Sequence, residues 1–250
     1  MGSAAAQDQP WACHGGEPGG GRHSPLRQIT AANVDKLAVA WTFRTGEVGP
    51  GDKPNKRLTF EATPIVVGDT MFVSTAYGRV FALGRRHWHA ALAASTGALV
   101  WRRQLVHHDL WDYDLPAQPA LVDLQRNGQT VPAVVQTAKM GMVYVFHRET
   151  GQPLFDIVER PVPASDVPGE TASPTQPFST LPALARQSPV KPEDAWGLTP
   201  WDKGKCRDQI AQYRSEGIYT PPSLRGSIQS PAMAAAATGV AWPSTRSARH

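Results

Sequence analysis

Cysteine is nearly absent from this chain of 250 residues: Cys13 and Cys206 stand far apart in unrelated contexts. No CxxC or Cys/His spacing offers a zinc site, and two such residues imply no disulfide framework. Long apolar runs are missing, so no stretch reads as a membrane-crossing helix. Runs of like charge are missing too. The 25 basic and 21 acidic residues leave a formal net charge of +4, and Arg85-Arg86 and Arg102-Arg103 are only pairs. That scatter fits ordinary solubility and argues against a nucleic-acid footprint. The start of the chain ends its first stretch in Ala4-Ala5-Ala6, like the close of an export signal. The charged and apolar parts of such a signal are lacking, so residues 1–9 read as a disordered leader.

Helix-period patterns are rare, whereas 23 prolines and 22 glycines divide the chain into short strands and turns. The glycines of residues 10–28 match no phosphate-binding pattern and read as a looping entry segment. Residues 29–36 predict one helical turn capped by Thr30 or Asn33. Residues 37–43 alternate like a half-buried strand, and 46–58 read as a loop. Residues 62–67, 70–75 and 80–83, separated by Gly68-Asp69 and a turn at Gly78, predict a three-stranded antiparallel meander. A strand, a Thr-Gly turn and a strand with an aromatic four positions past the glycine occur at 91–101 and again at 143–155. Recurrence at a spacing of about 40–50 residues marks a propeller or solenoid, with each aromatic free to dock on the next unit. Residues 156–205 read as a long Pro-rich loop and 205–216 as a short helix.

Chemistry concentrates in His107-His108-Asp109-Leu110-Trp111-Asp112-Tyr113-Asp114. On an extended backbone Asp112 and Asp114 share one face and Trp111 and Tyr113 the other. One carboxylate could then face a cavity with aromatics packed behind it. An acidic surface loop anchored by its aromatics is the commoner outcome for such a composition. A third reading makes His107, His108, Asp109 and Asp112 ligands of a hydrolytic metal centre, but adjacent strand residues point to opposite faces.

Beyond composition, many short motifs resemble one family in the right order. They include Trp11 with Gly15-Gly16-Glu17-Pro18-Gly19-Gly20, Trp41-Thr42-Phe43-Arg44-Thr45-Gly46, Phe60-Glu61-Ala62-Thr63-Pro64, residues 107–119, Glu159-Arg160-Pro161, Trp196-Gly197-Leu198-Thr199-Pro200 and residues 216–223. Together they resemble the pyrroloquinoline-quinone-dependent dehydrogenases, on the glucose dehydrogenase branch. The resemblance implies an all-β fold, here a partial, open β-propeller derived from an eight-bladed quinoprotein, with long loops and little helix. It implies pyrroloquinoline quinone and calcium as cofactors, an aldose sugar or alcohol as substrate, a quinone-type electron acceptor and a periplasmic location for the parent. Asp112 matches the catalytic carboxylate, Lys139 the cation contacting the quinone oxygens, and Glu61 a cofactor-contacting acid. Alcohol oxidation needs a base for the hydroxyl proton as hydride leaves carbon, and fixed positive charge for the reduced quinone. Outside the resemblance, Lys139 reads as a strand-end surface lysine and Glu61 as a sheet-edge solubiliser.

The family propeller would be about twice this length or more. Residues 10–83 read as its N-terminal portion and 91–231 as a middle portion carrying the catalytic-type loop. At 84–90 the match fails, and a one-base shift of reading would restore the Thr-Gly unit, which implies an out-of-frame seam at a deletion. Residues 232–250 read likewise as an out-of-frame tail. The expectation is a decayed or mis-sequenced gene whose product lacks the calcium ligands and has doubtful activity. A non-catalytic propeller scaffold is the alternative.

Overall fold

The computed structural model describes residues 11, 15, 22–24, 26–39, 41–48, 60–67, 70–84 and 98–231. The leader, residues 49–58 of the expected loop, the seam from 85 onward, the first half of the earlier repeat unit and the tail lie outside them.

Four strands form the first sheet in chain order: β1 (Ile65–Val67), β2 (Thr70–Ser74), β3 (Arg79–Gly84) and β4 (Ala98–Gln104), each antiparallel to the next. Period-2 alternation puts Ile65, Phe72, Ala82 and Trp101 in one register row across all four strands, every one buried. Burying each large member of such a row contributes about 1.5–3 kcal/mol. On the other face Val73, Phe81 and Leu83 form a second cluster, covered by Trp41 and Phe43. The meander expected from the alternation is therefore present, and one more strand extends it.

The second sheet orders β5 (Ala120–Arg126), β6 (Gln129–Thr137) and β7 (Val143–His147), again antiparallel. Asn127 and Gly128 both take positive φ, 53° and 76°, as a two-residue hairpin turn requires. A fourth strand is reduced to one bridge between Phe146 and Pro153. Leu121, Val134 and Phe146 form its buried row, continuous with that of the first sheet. Trp101 joins the two blades. Its ring lies 5.9 Å from those of both Phe72 and Phe146, and its indole N–H donates to the Arg148 carbonyl at 3.0 Å. The indole rests on Gly151, where a Cβ would come within 2.6 Å of it. This is the docking foreseen for the repeat's aromatic. Phe155, its counterpart in the later unit, is 38% exposed with the Arg126 guanidinium over its ring.

Three expectations need correction. Residues 37–39 and 41–43 form no strand: 37–39 are all exposed, and only 41–43 alternate in exposure. Phe43 packs edge-on against Phe81 at 5.4 Å, so the period reports a face contact without a ladder. The Pro-rich segment is not all loop: β8 (Ile157–Pro161) pairs antiparallel with β9 (Thr175–Ser179). Pro161 and Pro177 are tolerated because two paired strands are both edges. The helix, α1 (Pro200–Gln212), starts and ends earlier than expected, with Pro200 in its first turn and the Thr199 hydroxyl capping the Asp202 N–H. The turn near residue 33 is a 3-10 turn over Val34–Lys36, whose Asn33 side chain reaches back to the Thr30 N–H at 2.7 Å.

Residues 105–119 carry the chain from one blade to the other as coil that is largely buried, with His108 exposed. Buried backbone must find partners. The Ser74 hydroxyl is placed between the Leu115 and Ala117 carbonyls, 3.1 Å from each, and the Gln136 amide donates to Ala117 O at 2.9 Å.

Candidate active site

The inter-blade coil carries the His-His-Asp-Leu-Trp-Asp-Tyr-Asp stretch, and its conformation is set from within. Asp109 Oδ1 accepts the Trp111 N–H at 2.9 Å and also serves the backbone N–H of Tyr113. Between them Asp112 takes φ +62°, a left-handed backbone that aspartate tolerates better than most residues. Trp111 and Tyr113 stack 6.0 Å apart and are buried, held by Tyr219 set edge-on to both. The Trp111 indole donates to Thr220 O at 2.7 Å, and the Tyr113 hydroxyl to Ile218 O at 3.0 Å. Gln229 Nε2 closes the loop from outside by donating to Trp111 O at 2.5 Å. Aromatics thus occupy one side and Asp112 and Asp114 the other, although the left-handed Asp112 breaks the extended backbone from which that sharing was expected.

Lys139 follows β6 and precedes a tight turn at Gly141, φ +78°. A Cβ at Gly141 would stand 2.5 Å from that of Ala185, so the turn is pressed against the later chain. The Lys139 ammonium donates to Asp112 Oδ2 at 2.9 Å. It also lies 2.5 Å from Asp114 Oδ1 as a close ion pair. Burial would pull this ammonium down, but the two carboxylates outweigh it and hold its pKa above the ordinary lysine value. Burial pushes Asp114 up, with Lys139 opposing. The structure therefore brings Asp112 and Lys139 together, from positions 27 residues apart. Glu61 is exposed on the coil leading into β1 and is not among the carboxylates paired with Lys139.

Two histidine–carboxylate pairs clasp the stretch to the later chain. His107 Nε2 meets Glu159 at 2.9 Å and His108 Nε2 meets Glu170 at 2.7 Å. Burial pushes the Glu159 carboxyl up, but hydrogen bonds from His107 and Thr175 outweigh it, and the His108 bond holds Glu170 low as well. The Gln176 side chain accepts the His107 N–H at 2.8 Å and donates to the His107 carbonyl at 2.6 Å. Among the described residues no group of three or more His, Cys, Asp or Glu could hold a metal ion, which leaves the hydrolytic-metal reading without a ligand set. Calcium likewise finds no ligand cluster there, and both nearby carboxylates are already paired with Lys139. The polar end of an ortho-quinone is a better match, since a fixed ammonium beside a carboxylate offers one donor for a quinone oxygen and one acceptor for a hydroxyl proton. A cleft of about 460 Å³ is lined by residues 76, 77, 79, 104 and 106–109, and so by none of Asp112, Asp114 and Lys139.

Asp109 was visible only as one of several acids, yet it locks the turn that presents Asp112. Burial raises its pKa, and its Oδ2 is buried without a hydrogen-bond partner among the described residues. A carboxyl with a raised folded-state pKa favours folding most below its unfolded value and loses that contribution as pH rises through the folded one. Asp109→Asn keeps the Oδ1 acceptor and removes the buried charge. Its melting temperature is expected to exceed that of the wild type at pH 7, with the gap closing as pH falls below about 4. Equal melting curves across that range would show that Asp109 carries no such burden.

Meandering sheets docked through a tryptophan, with Asp112 and Asp114 of the coil between them paired to Lys139 beyond β6, are the elements of a β-propeller. Residues 11–90 and 89–248 match the family model described as "PQQ: Glucose/ethanol/alcohol dehydrogenase, beta-propeller domain", and the chain belongs to that family. It is 37% identical over 231 residues to quinoprotein glucose dehydrogenase A of Acinetobacter calcoaceticus, covering 83% of this chain and 29% of that protein. It is 45% identical over 141 residues to the quinoprotein glucose dehydrogenase of Escherichia coli K12, covering 56% of this chain and 18% of that one. A glycerol dehydrogenase large subunit of Gluconobacter oxydans matches at 42% over 137 residues, 54% of this chain and 18% of that protein. The chain thus spans less than a third of the length of these curated relatives.

Proposed function

We propose that this chain carries the base-bearing portion of a quinoprotein dehydrogenase that oxidises an aldose sugar or a related alcohol. The observation that carries the reading is the Asp112–Lys139 pair: a nearly buried ammonium 2.9 Å from a carboxylate that keeps 28% of its side-chain surface exposed. Pyrroloquinoline quinone would supply the hydride acceptor. Asp112 accepts the proton of the substrate hydroxyl, a step for which an ionised carboxylate within hydrogen-bond reach suffices. Lys139 has three N–H donors, of which two face Asp112 and Asp114, so one remains among the described residues to orient a quinone oxygen. Glu61 joins the proposal as a further cofactor-contacting acid on the family resemblance alone. Calcium enters on that basis too, with no group of three or more His, Cys, Asp or Glu side chains to hold it among the described residues. Glucose is the favoured substrate, a quinone-type molecule the favoured acceptor and the periplasm the favoured location, all on the likeness to the glucose dehydrogenases. The seam at 84–90 remains part of the proposal, in keeping with a family match that divides at residues 89–90, whereas the out-of-frame tail rests on the sequence alone, since that match runs on to residue 248.

The test is a titration of the 250-residue chain with pyrroloquinoline quinone, with and without calcium, following bound-quinone absorbance and dye-linked oxidation of glucose and glycerol. Uptake with sugar-dependent dye reduction is expected. Asp112→Asn should keep uptake and lose turnover by at least about a hundredfold. A folded chain that takes up no quinone would favour the non-catalytic scaffold instead.

A further inference from the structure

The ammonium of Lys139 is shared unequally, and the inequality assigns a role to a second carboxylate. Asp114 approaches closer, 2.5 Å against 2.9 Å, and its side chain is 7% exposed against 28% for Asp112. It also meets Lys139 through the backbone, where the Lys139 N–H points at the Asp114 carbonyl at 3.4 Å. The chain just beyond Asp114 is bolted down, with Ser74 on the Leu115 and Ala117 carbonyls and Gln136 on that of Ala117. Asp112 instead sits on a left-handed backbone at the more open side.

Charge counting gives the consequence. Two carboxylates and one ammonium leave the trio one negative charge in excess. If one carboxylate takes up a proton, the other still balances the lysine. A buried ammonium left without any partner would be costly.

We propose that Asp114 is the positioning residue of this site: it fixes and balances the Lys139 ammonium, so that Asp112 can accept a proton without stranding that charge. The role rests on the dehydrogenase reading for its purpose, but its physical content concerns only these three side chains. Asp114 acts through Lys139 and need touch neither substrate nor quinone.

The experiment is an NMR titration of the lysine ammonium groups in the intact chain, free of cofactor, with Lys139 assigned by the loss of its signal in Lys139→Arg. In Asp114→Asn the Lys139 signal is expected to titrate about one pH unit or more below wild type, because burial then faces only one opposing carboxylate. Asp112→Asn should move it less, and Asp114→Glu should bring it back toward wild type. Should Asp114→Asn fail to fold, reductive methylation of folded Asp112→Asn decides. Lys139 slow to react supports an Asp114 anchor, and Lys139 reacting like an exposed lysine overturns it. A shift in Asp112→Asn equal to or larger than that in Asp114→Asn also overturns the proposal. Absence of quinone uptake by the wild type would sink the dehydrogenase reading while leaving the lysine titration to judge Asp114.

Discussion

Lys139→Met is expected to cost about 3–5 kcal/mol of folding stability, the usual penalty for removing one partner of a buried ion pair. Methionine replaces the stem in volume but leaves Asp112 and Asp114 facing each other without a cation, and Asp114 is almost wholly buried. Most of the cost is an uncompensated buried charge, so acid should relieve it as a proton becomes available to Asp114. Urea unfolding at pH 7 and at about pH 4 checks both the size and the sign, with the deficit smaller in acid. The same variant should lose quinone uptake. A variant as stable as the wild type at neutral pH would mean that the Lys139 contact with the two carboxylates is not made in solution.

Gly151→Val is expected to cost about 2–5 kcal/mol through two additive causes. A branched side chain at φ +69° pays for the left-handed backbone, about 1–2 kcal/mol. Its Cβ would also stand 2.6–3.0 Å from indole atoms of Trp101, and overpacking of this kind costs about 1–3 kcal/mol. Trp101 cannot yield cheaply, because it is buried between Phe72 and Phe146 and hydrogen-bonded to Arg148. The damage should therefore appear as loss of docking between the blades. Thermal unfolding followed by tryptophan fluorescence would register it, and an unchanged midpoint would show that Trp101 does not join the sheets.

The parts of the fold that could be read in the sequence are those whose determinants are local. The first three strands announce themselves because Ile65, Phe72 and Phe81 alternate with smaller or polar neighbours and Gly78 supplies the turn. The β8–β9 hairpin did not, because Glu159-Arg160-Pro161 and Gln176-Pro177 show no alternation and the partners lie far apart in sequence. At residues 41–43 the reverse happened: alternation without a neighbouring strand gives partial burial but no ladder, and the apolar positions of 37–39 stay exposed. For the site, Asp112 and Asp114 do lie together, but on a left-handed turn and around Lys139 rather than on an extended strand, and only resemblance drew attention to that lysine. Nothing local could show that Asp109 locks the turn or that Gln176 and Gln229 brace it, since those contacts depend on where distant segments return.

That return has a bearing on the order in which the molecule is made. Trp111 and Tyr113 are held by carbonyls at positions 218 and 220, and the Trp111 carbonyl by Gln229, partners more than a hundred residues downstream. During synthesis the two blades can settle while these later residues are still inside the ribosome. Contacts of such sequence separation close last and slowly. Asp112 therefore acquires its final setting only as the end of the described chain emerges, and a product halted before residue 218 would hold both blades with its reactive loop unbraced.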